Sequence, residues 1–556
     1  MTAVSVSILP RPLSVTAGQG CASGTGATGA VLSDGLVLAH AAGLTREARW
    51  FRRVLEAGTG WVVNLAGPEG SERAAIELQL GDLSYLPSEF DALMPAETRH
   101  ESYNLRASQG RVVITSPGGA GVFYGLQTLR QLLPDSTFRR AGRSRAIHLP
   151  ELEIIDAPRL SWRGVHLDVC RHFMPKSFLL ELIDLVALHK CNVLHLHLTE
   201  DQGWRVPIDR YPLLTEIGAW RSESPVGPEG DGHFDGMPHG GFYTREDLEE
   251  IVAFAAERHV EVLPEVDMPG HMVAAIASYP ELGNTKERLQ VSTSWGISTH
   301  VLNLEEKTLL FCTDVIDEVV DIFPGRYFHV GGDECQTIEW KTSPRAQEIM
   351  REQGFTEERQ LQGWFTARMA EHLAARGRTL VGWAEILDGG APKGSIAMSW
   401  RGEEDAVKAA KAGHRVVIAA QDWLYFDRPY SPDPAEPPGS PGATSVEKVY
   451  LYEPVPEVIP PEQRHQVIGA QCQLWTEYVA TPAQAEYLYF PRLSAFAETV
   501  WTTETAAHAK SYEEFEPRLA RHLTRLAALG VNYRPLKGPT PGQARVWRNP
   551  GSWLSR

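Results

Sequence analysis

The sequence predicts an α/β chain built on a (β/α)8 TIM barrel that follows a smaller α+β domain. Three observations point there. From Ser161 to Trp475, eight strand-like runs alternate with helical segments. Ahead of Asp156-Ala-Pro158 the pattern differs, with short strand-like runs and loops that close on one helix. Finally, all eight runs end in carboxylates, aromatics or both. Strands that alternate with helices pair in parallel through crossover helices, and eight such units close a barrel whose loops share one mouth.

Residues 1–157 form the expected front domain. Strand-like runs lie at 61–65, Ile76–Leu80 and 112–115, and a helix opens at Gly118-Gly119 with Phe123, Leu126, Leu129, Leu132 and Leu133 at helical spacing. Pro158 disfavours helix before it, and the new pattern starts at once. In the barrel, 158–505, the first strand reaches Asp168, and Ser177 is the expected N-cap of the next helix, whose apolar stripe is Phe178, Leu179, Leu182, Ile183 and Val186. The second strand is 193–199. A Gly/Pro-rich excursion then leads to a helix at Thr244, with Asp247 placed for a capping box. The remaining strands are expected at 260–266, 327–330, Thr379–Trp383, 395–400, 415–420 and 467–475, with helices such as 360–375 and 405–412 between them. Residues 506–556 read as a C-terminal helix, Tyr512–Leu529, and an irregular tail.

Composition narrows the function. The 556 residues are 43% hydrophobic and 22% charged, which excludes wholesale disorder. With 53 Lys and Arg against 70 Asp and Glu the net charge is −17, a poor match to a nucleic-acid backbone. No apolar run reaches the roughly 18 residues of a membrane span. The N-terminus has neither a basic region nor a sustained apolar one, so a cytoplasmic location is expected unless a leader precedes it. None of the six cysteines form a CxxC pair, and no disulfide framework is expected.

Chemistry in such a barrel gathers where strands end. In order, the ends carry Asp168 and Arg171; Glu200, Asp201 and Trp204; Asp267 and His271; Asp333 and Glu334; Trp383 and Glu385; Trp400 and Arg401; Tyr425 and Asp427; Trp475 and Glu477. Carboxylates accept from hydroxyls and indole faces stack on pyranose C–H faces, so this mouth suits a neutral, hydroxyl-rich ligand. A phosphorylated one would be repelled. Singly, each feature has a plainer reading. Gly331-Gly332-Asp333-Glu334 could be a tight turn with Asp333 capping a helix. Asp267-Met-Pro-Gly-His271 could be a Pro-Gly turn, a strand-end Trp core packing, and Arg171 an ion-pair partner. Those readings weaken together, since accidents should not all fall at one end of successive strands. His195 and His197 alternate with Leu194, Leu196 and Leu198, which favours structural histidines on the opposite side of that strand.

With these residues in place the chain resembles the family-20 glycoside hydrolases, the β-N-acetylhexosaminidases. The matching strings are Trp162-Arg-Gly with Leu167-Asp-Val-Cys-Arg171-His-Phe, His195-Leu-His-Leu-Thr-Glu-Asp-Gln-Gly-Trp204, Pro264-Glu-Val-Asp-Met-Pro-Gly-His271, His329-Val-Gly-Gly-Asp-Glu334, Val381-Gly-Trp383 and Leu474-Trp-Thr-Glu477. The ordered set is highly specific; Gly-Gly-Asp-Glu alone is not. The resemblance implies a retaining, substrate-assisted mechanism, an exception to the usual pair of catalytic carboxylates. The substrate's own 2-acetamido oxygen attacks the anomeric carbon, Glu334 is the acid and then the base, and Asp333 orients the acetamido group. It further implies that Trp383, Trp400 and Trp475 wall the acetamido pocket and that Tyr425 bonds its carbonyl. Arg171, Asp427 and Glu477 would read the sugar hydroxyls, and His271 with Glu200 would back Glu334. No cofactor or metal is implied, and the partner is an amino-sugar glycoside or oligosaccharide. Two departures matter. Many relatives carry Asp-Asp where this chain has Glu200-Asp201, which leaves the partner of His271 open. Segment 429–445 lacks the Trp that relatives often offer to the next sugar.

Other readings stay open at this point. A metal-dependent amidohydrolase would use a pair like His195 and His197, but at the first strand's end and with further His ligands on later strands. A non-catalytic sugar-binding protein would be expected to lose Asp333 or Glu334. A two-carboxylate glycosidase could take Glu385 or Glu477 as nucleophile, and it would tolerate sugars without a 2-acetamido group.

Overall fold

A computed structural model describes residues 6–18, 28–87, 94–227, 230–285, 287–504 and 509–548. The N-terminal part is a seven-stranded mixed sheet in the order Ser14–Ala17, Leu152–Asp156, Tyr103–Ser108, Arg111–Ser116, Ile76–Leu80, Val37–His40, Asn64–Ala66. Helices Thr45–Thr59 and Gly119–Leu132 pack on it through Trp50, Phe51, Phe123 and Leu126, all buried. The predicted run at 61–65 is strand only from Asn64; Trp61 instead buries its ring and donates its indole N–H to Ser144 O.

The barrel closes from eight parallel strands: β1 (Trp162–Asp168), β2 (Val193–His197), β3 (Glu261–Glu265), β4 (Tyr327–His329), β5 (Thr379–Trp383), β6 (Ile396–Ser399), β7 (Arg415–Ile418) and β8 (Val467–Cys472). Alternate residues of a strand face opposite sides. In β2 this sends Leu194 and Leu196 outward into the main core and leaves Val193 in the apolar plug inside the barrel, with Trp162, Leu263, Val381, Ile396, Met398 and Val417. Above the plug the filling turns polar. Parallel register sets Asp168 beside His197, His197 beside Glu265 and Glu265 beside His329, so neighbouring strands contribute to one buried layer. His195 and His197 thus lie opposite the leucines, as the alternation predicts.

Helix Arg245–Ala256 starts with the predicted capping box, Thr244 and Asp247 bonding reciprocally. Ser177 is not an N-cap. Helix Lys176–Leu188 begins one residue before it, after Pro175 (φ −67), and has no side-chain cap, because proline already presets the entry. The helix Tyr512–Leu529 packs through Phe515, Leu519 and Leu526. The front sheet is tied to the barrel by buried polar contacts: Lys190 Nζ lies 2.7 Å from Asp156, which also takes the Trp501 indole N–H at 3.0 Å, and Arg163 pairs with Glu101. Five cysteines are free and buried; Cys21 lies outside the described residues. Among the described residues no helix is long and apolar enough to cross a membrane.

Candidate active site

The loop after β1 is shaped by Asp168, fully buried, whose Oδ1 accepts the backbone N–H of Cys170 (2.7 Å) and Arg171 (3.2 Å). Its Oδ2 takes Thr476 N at 3.1 Å from the loop after β8, so one carboxylate joins the first and last strands of the barrel. Arg171 returns over this turn. Its guanidinium touches Asp168 and Glu200 at 3.2 Å each, donates to Gln202 Oε1 at 3.1 Å, and lies 5.2 Å above the Trp475 ring. A second buried arginine, Arg205, donates to the carbonyls of Val169, Cys170, Ala219 and Gly241 and fixes the neighbouring loops.

The acidic centre is assembled from the ends of β2, β3 and β4. His271 Nδ1 lies 2.7 Å from Glu200 Oε1 but 3.7 Å from Asp201, whose Oδ1 instead takes Val273 N. The partner that the sequence left open is therefore Glu200. The other ring nitrogen of His271 is 3.6 Å from Glu334 and 3.8 Å from Asp333. Both His271 (φ 51) and Glu334 (φ 50) hold the left-handed conformation, which costs a non-glycine residue on the order of 1–3 kcal/mol and collects at functional sites. No helix starts at Asp333, the next helical turn being Glu339–Lys341, which removes the capping reading. Instead its carboxyl faces that of Asp267 within hydrogen-bond reach. Asp267 Oδ2 and Asp333 Oδ1 are both buried without a donor, which favours a proton on one of the two carboxyls.

Aromatics from four strand ends line the same mouth. Trp383 and Trp475 lie 5.8 Å apart, Tyr425 stands edge-on to Trp475 at 6.3 Å, and Trp400 stacks on Tyr425 at 6.4 Å and 13°. Two of the three indole walls are anchored by carboxylates: Trp383 Nε1 donates to Glu265 at 2.9 Å and Trp400 Nε1 to Glu385 at 3.1 Å. The loop of Tyr425 and Asp427 is pinned by buried Arg492, which donates to the carbonyls of Phe426, Arg428 and Thr444. Segment 429–445 returns to Asp427, whose carbonyl accepts Ser440 N at 3.2 Å, and its aromatic, Tyr430, donates its hydroxyl to backbone carbonyls of Tyr487 and Leu488.

The electrostatics divide into two groups. In the first, attraction overcomes burial. Burial disfavours the charged forms, yet Arg171 and His271 hold Glu200 well below the carboxylate range, and Glu200, Asp201 and Glu334 hold His271 well above the usual histidine range. In the second, burial wins. It raises Asp267 strongly, aided by Asp333, and raises Asp333 and Asp427; it pushes Glu385 and Glu477 up to about 7. Side-chain oxygens of Asp427, Glu477 and Asp333 and the free nitrogen of His271 are buried without a hydrogen-bond partner. Orphaned polar atoms that converge on an aromatic-walled mouth are the mark of a polar ligand's place.

The comparisons fall on this same architecture. The model of the glycosyl hydrolase family 20 catalytic domain matches residues 160–504, and that family's domain 2 matches residues 5–157. The chain belongs to glycosyl hydrolase family 20. It is 39% identical over 447 residues to a beta-hexosaminidase of Porphyromonas gingivalis, covering 80% of this chain and 56% of that relative, so it spans little more than half of the relative's length. Among solved structures, the exo beta-N-acetylglucosaminidase of Vibrio harveyi in complex with N-acetylglucosamine aligns at TM-score 0.81 and 29% identity, covering 96% of this chain and 80% of that one. The Streptomyces plicatus N-acetyl-beta-hexosaminidase in complex with Thio-NAglucal aligns at TM-score 0.78 and 30% identity, covering 95% and 96%.

In this family-20 chain the eleven side chains that the resemblance implies for the site, Arg171, Glu200, His271, Asp333, Glu334, Trp383, Trp400, Tyr425, Asp427, Trp475 and Glu477, all lie at or after strand ends of the barrel. Trp204, also read at a strand end, is instead buried against Phe311 with its indole N–H on Val206 O. Sequence reasoning took His197 as structural and gave no role to Glu265 or Gln202, or to Asp267 as the partner of Asp333. The signal available for Glu265 and His197 was a titratable residue at the last position of a barrel strand. Several buried groups, such as Glu200, Asp201 and His271 or His166, His195 and Glu265, bring three ligand-type atoms within 4.8 Å of one another. Glu200 and Glu265 already accept from Arg, His and Trp donors, so these clusters read as hydrogen-bond networks.

Proposed function

We propose that this chain is an exo-acting, retaining β-N-acetylhexosaminidase that releases terminal β-linked N-acetylglucosamine or N-acetylgalactosamine by substrate-assisted catalysis. The observation that carries the reading is the convergence of unpartnered buried oxygens on Asp333, Asp427 and Glu477 within walls of Trp383, Trp400, Trp475 and Tyr425. Those aromatics enclose a flat acetamido group, while Arg171, Asp427 and Glu477 offer one donor and two acceptors to ring hydroxyls. Glu334 keeps a third of its side chain exposed, as a group that meets both a leaving oxygen and a water must. In the first step the acetamido oxygen bonds to the anomeric carbon, the glycosidic C–O bond breaks and Glu334 gives its proton to the leaving oxygen. The Asp333 carboxyl orients the acetamido N–H and stabilises the positive charge that develops on the oxazolinium ring. In the second step Glu334 takes a proton from water, whose oxygen opens that ring with net retention.

The two-carboxylate alternative is disfavoured by the same electrostatics. A nucleophile must be free and ionised, yet Glu385 is engaged by the Trp400 indole, and burial raises Glu385 and Glu477 to about 7, so that each is only partly ionised at neutral pH. The similarity to proteins named for N-acetylglucosamine chemistry supports the acetamido reading. Hydrolysis of an aryl β-N-acetylglucosaminide, an N-acetylgalactosaminide and a plain β-glucoside, by wild type and Glu334→Gln, tests it. Turnover confined to the acetamido sugars and largely lost in the variant is expected. Equal turnover of the plain glucoside would overturn the mechanism, and no turnover of any would restore the sugar-binding reading.

A further inference from the structure

Glu265 ends β3 and is completely buried, with no route to any ligand. A carboxylate in such a place needs strong partners, since an unpaired one would be protonated or excluded. Its two oxygens are surrounded from three other strands. Oε1 accepts from Trp383 Nε1 at 2.9 Å and lies 3.0 Å from His329 Nδ1. Oε2 accepts from His197 Nδ1 at 2.7 Å and lies 3.0 Å from His195 Nε2. The Nδ1 of His195 is taken up by the Gln471 amide at 2.9 Å, which leaves the His195 proton on the side of Glu265.

His197 is the link outward. Its Nδ1 faces Glu265 and its Nε2 faces Glu200 at 3.0 Å. Two carboxylates on one imidazole require a proton on each nitrogen, so His197 is an imidazolium. Its raised pKa agrees: burial opposes the charge, but Glu265 and Glu200 outweigh it. The chain of charges then alternates, Glu265 to His197 to Glu200 to His271, and ends 3.6 Å from Glu334. On its other oxygen Glu265 grips the indole of Trp383, a wall of the pocket.

We propose that Glu265 is a positioning residue that holds the pocket wall and the hydrogen-bond chain behind the acid in one register. The inference rests on the functional reading above. Its consequence is that one remote carboxylate controls two separable quantities: proton delivery to the leaving group through His197, and fit of the sugar through Trp383.

Kinetics on two aryl β-N-acetylglucosaminides separate these, one with a phenyl leaving group that needs protonation and one with a dinitrophenyl group that does not. Glu265→Gln keeps the shape, but one polar atom becomes a donor and can no longer accept on both sides. Its kcat on the phenyl glycoside should fall on the order of 10²-fold, as for a misplacement of about 1 Å. The dinitrophenyl glycoside should lose far less, and KM should rise for both. His197→Gln, which leaves Trp383 anchored, should show the same dependence on leaving group with a smaller rise in KM. Thermal unfolding reports whether each variant folds; should Glu265→Gln fail to, His197→Gln decides alone. A loss equal for both leaving groups, or a His197→Gln enzyme indistinguishable from wild type, overturns the proposal. Inactive wild type would remove the functional reading itself, whereas active wild type with unchanged variants would remove this inference only.

Discussion

Glu200 accepts the Nδ1 proton of His271 at 2.7 Å, while its chain neighbour Asp201 stands 3.7 Å away and bonds the backbone instead. That contact fixes which face of His271 is left for Glu334 and Asp333. Glu200 also meets Arg171 at 3.2 Å, so it touches both the acid and the sugar-reading side of the mouth. Glu200→Gln should therefore lower kcat by about 10²-fold, within the range that positioned proton transfer contributes, and should raise KM as Arg171 loosens. Asp201→Asn should lose much less. Steady-state kinetics on an aryl β-N-acetylglucosaminide compare the two; equal losses would contradict the assignment of Glu200 as the partner.

Asp333 and Asp267 share a buried space without a donor between them, and burial raises both. Asp333→Asn keeps the size and supplies a donor to Asp267, so the fold should be retained or stabilised. The amide no longer offsets the charge that develops on the acetamido nitrogen. The expected result is a fall in kcat of roughly 10²–10³-fold, the scale for removing one preorganised stabilising group, with Tm unchanged or higher. Activity near wild type in a folded variant would count against Asp333 as the orienting group.

Much of this was legible in the sequence because strand and helix alternation needs only local pattern, and a parallel barrel places every strand end at one mouth. Thr379–Trp383 and Tyr512–Leu529 have the bounds that periodicity predicts. What stayed hidden depends on three-dimensional register. Glu265 and His197 become neighbours through pairing of β2 with β3, and no spacing along the chain records that. Arg205 and Arg492 bind carbonyls far from their own positions, so composition shows them only as two more charges. Ser177 misled because hydroxyls favour N-caps, yet Pro175 had already set the entry to the helix.

Glu477 is raised to about 7 by burial against the pull of Arg171. The sign follows from proton counting. The native state holds a proton that the unfolded chain has released between its ordinary pKa, about 4.3, and 7. Stability due to this group is therefore lost as pH rises through that window. Glu477→Gln removes the term and should be more stable than wild type by about 1–3 kcal/mol at pH near 8, with the difference vanishing near pH 4. The same variant should bind substrate more weakly, the usual cost of stabilising a functional site. Chemical unfolding at the two pH values checks this, and a difference independent of pH would refute the assignment.

Gly331 adopts φ +62, and a Cβ there would lie 1.9 Å from Asp267 Oδ1. The absence of a side chain lets Asp267 close on the turn, take Gly332 N at 2.9 Å and meet Asp333. Gly331→Ala carries two penalties, the left-handed backbone and the displacement of a buried carboxylate. Gly354→Ala isolates the first, since Gly354 has φ +69 with nothing within 4 Å of its Cβ. The control should lose about 1 kcal/mol with normal kcat. Gly331→Ala should lose more, of order 2–4 kcal/mol, and its kcat should fall because Asp333 loses its partner. Denaturant unfolding and kinetics on the pair decide the matter. Equal destabilisation with normal kcat in both would mean that Asp267 has room to move and that its contact with Asp333 is not what places the acetamido group.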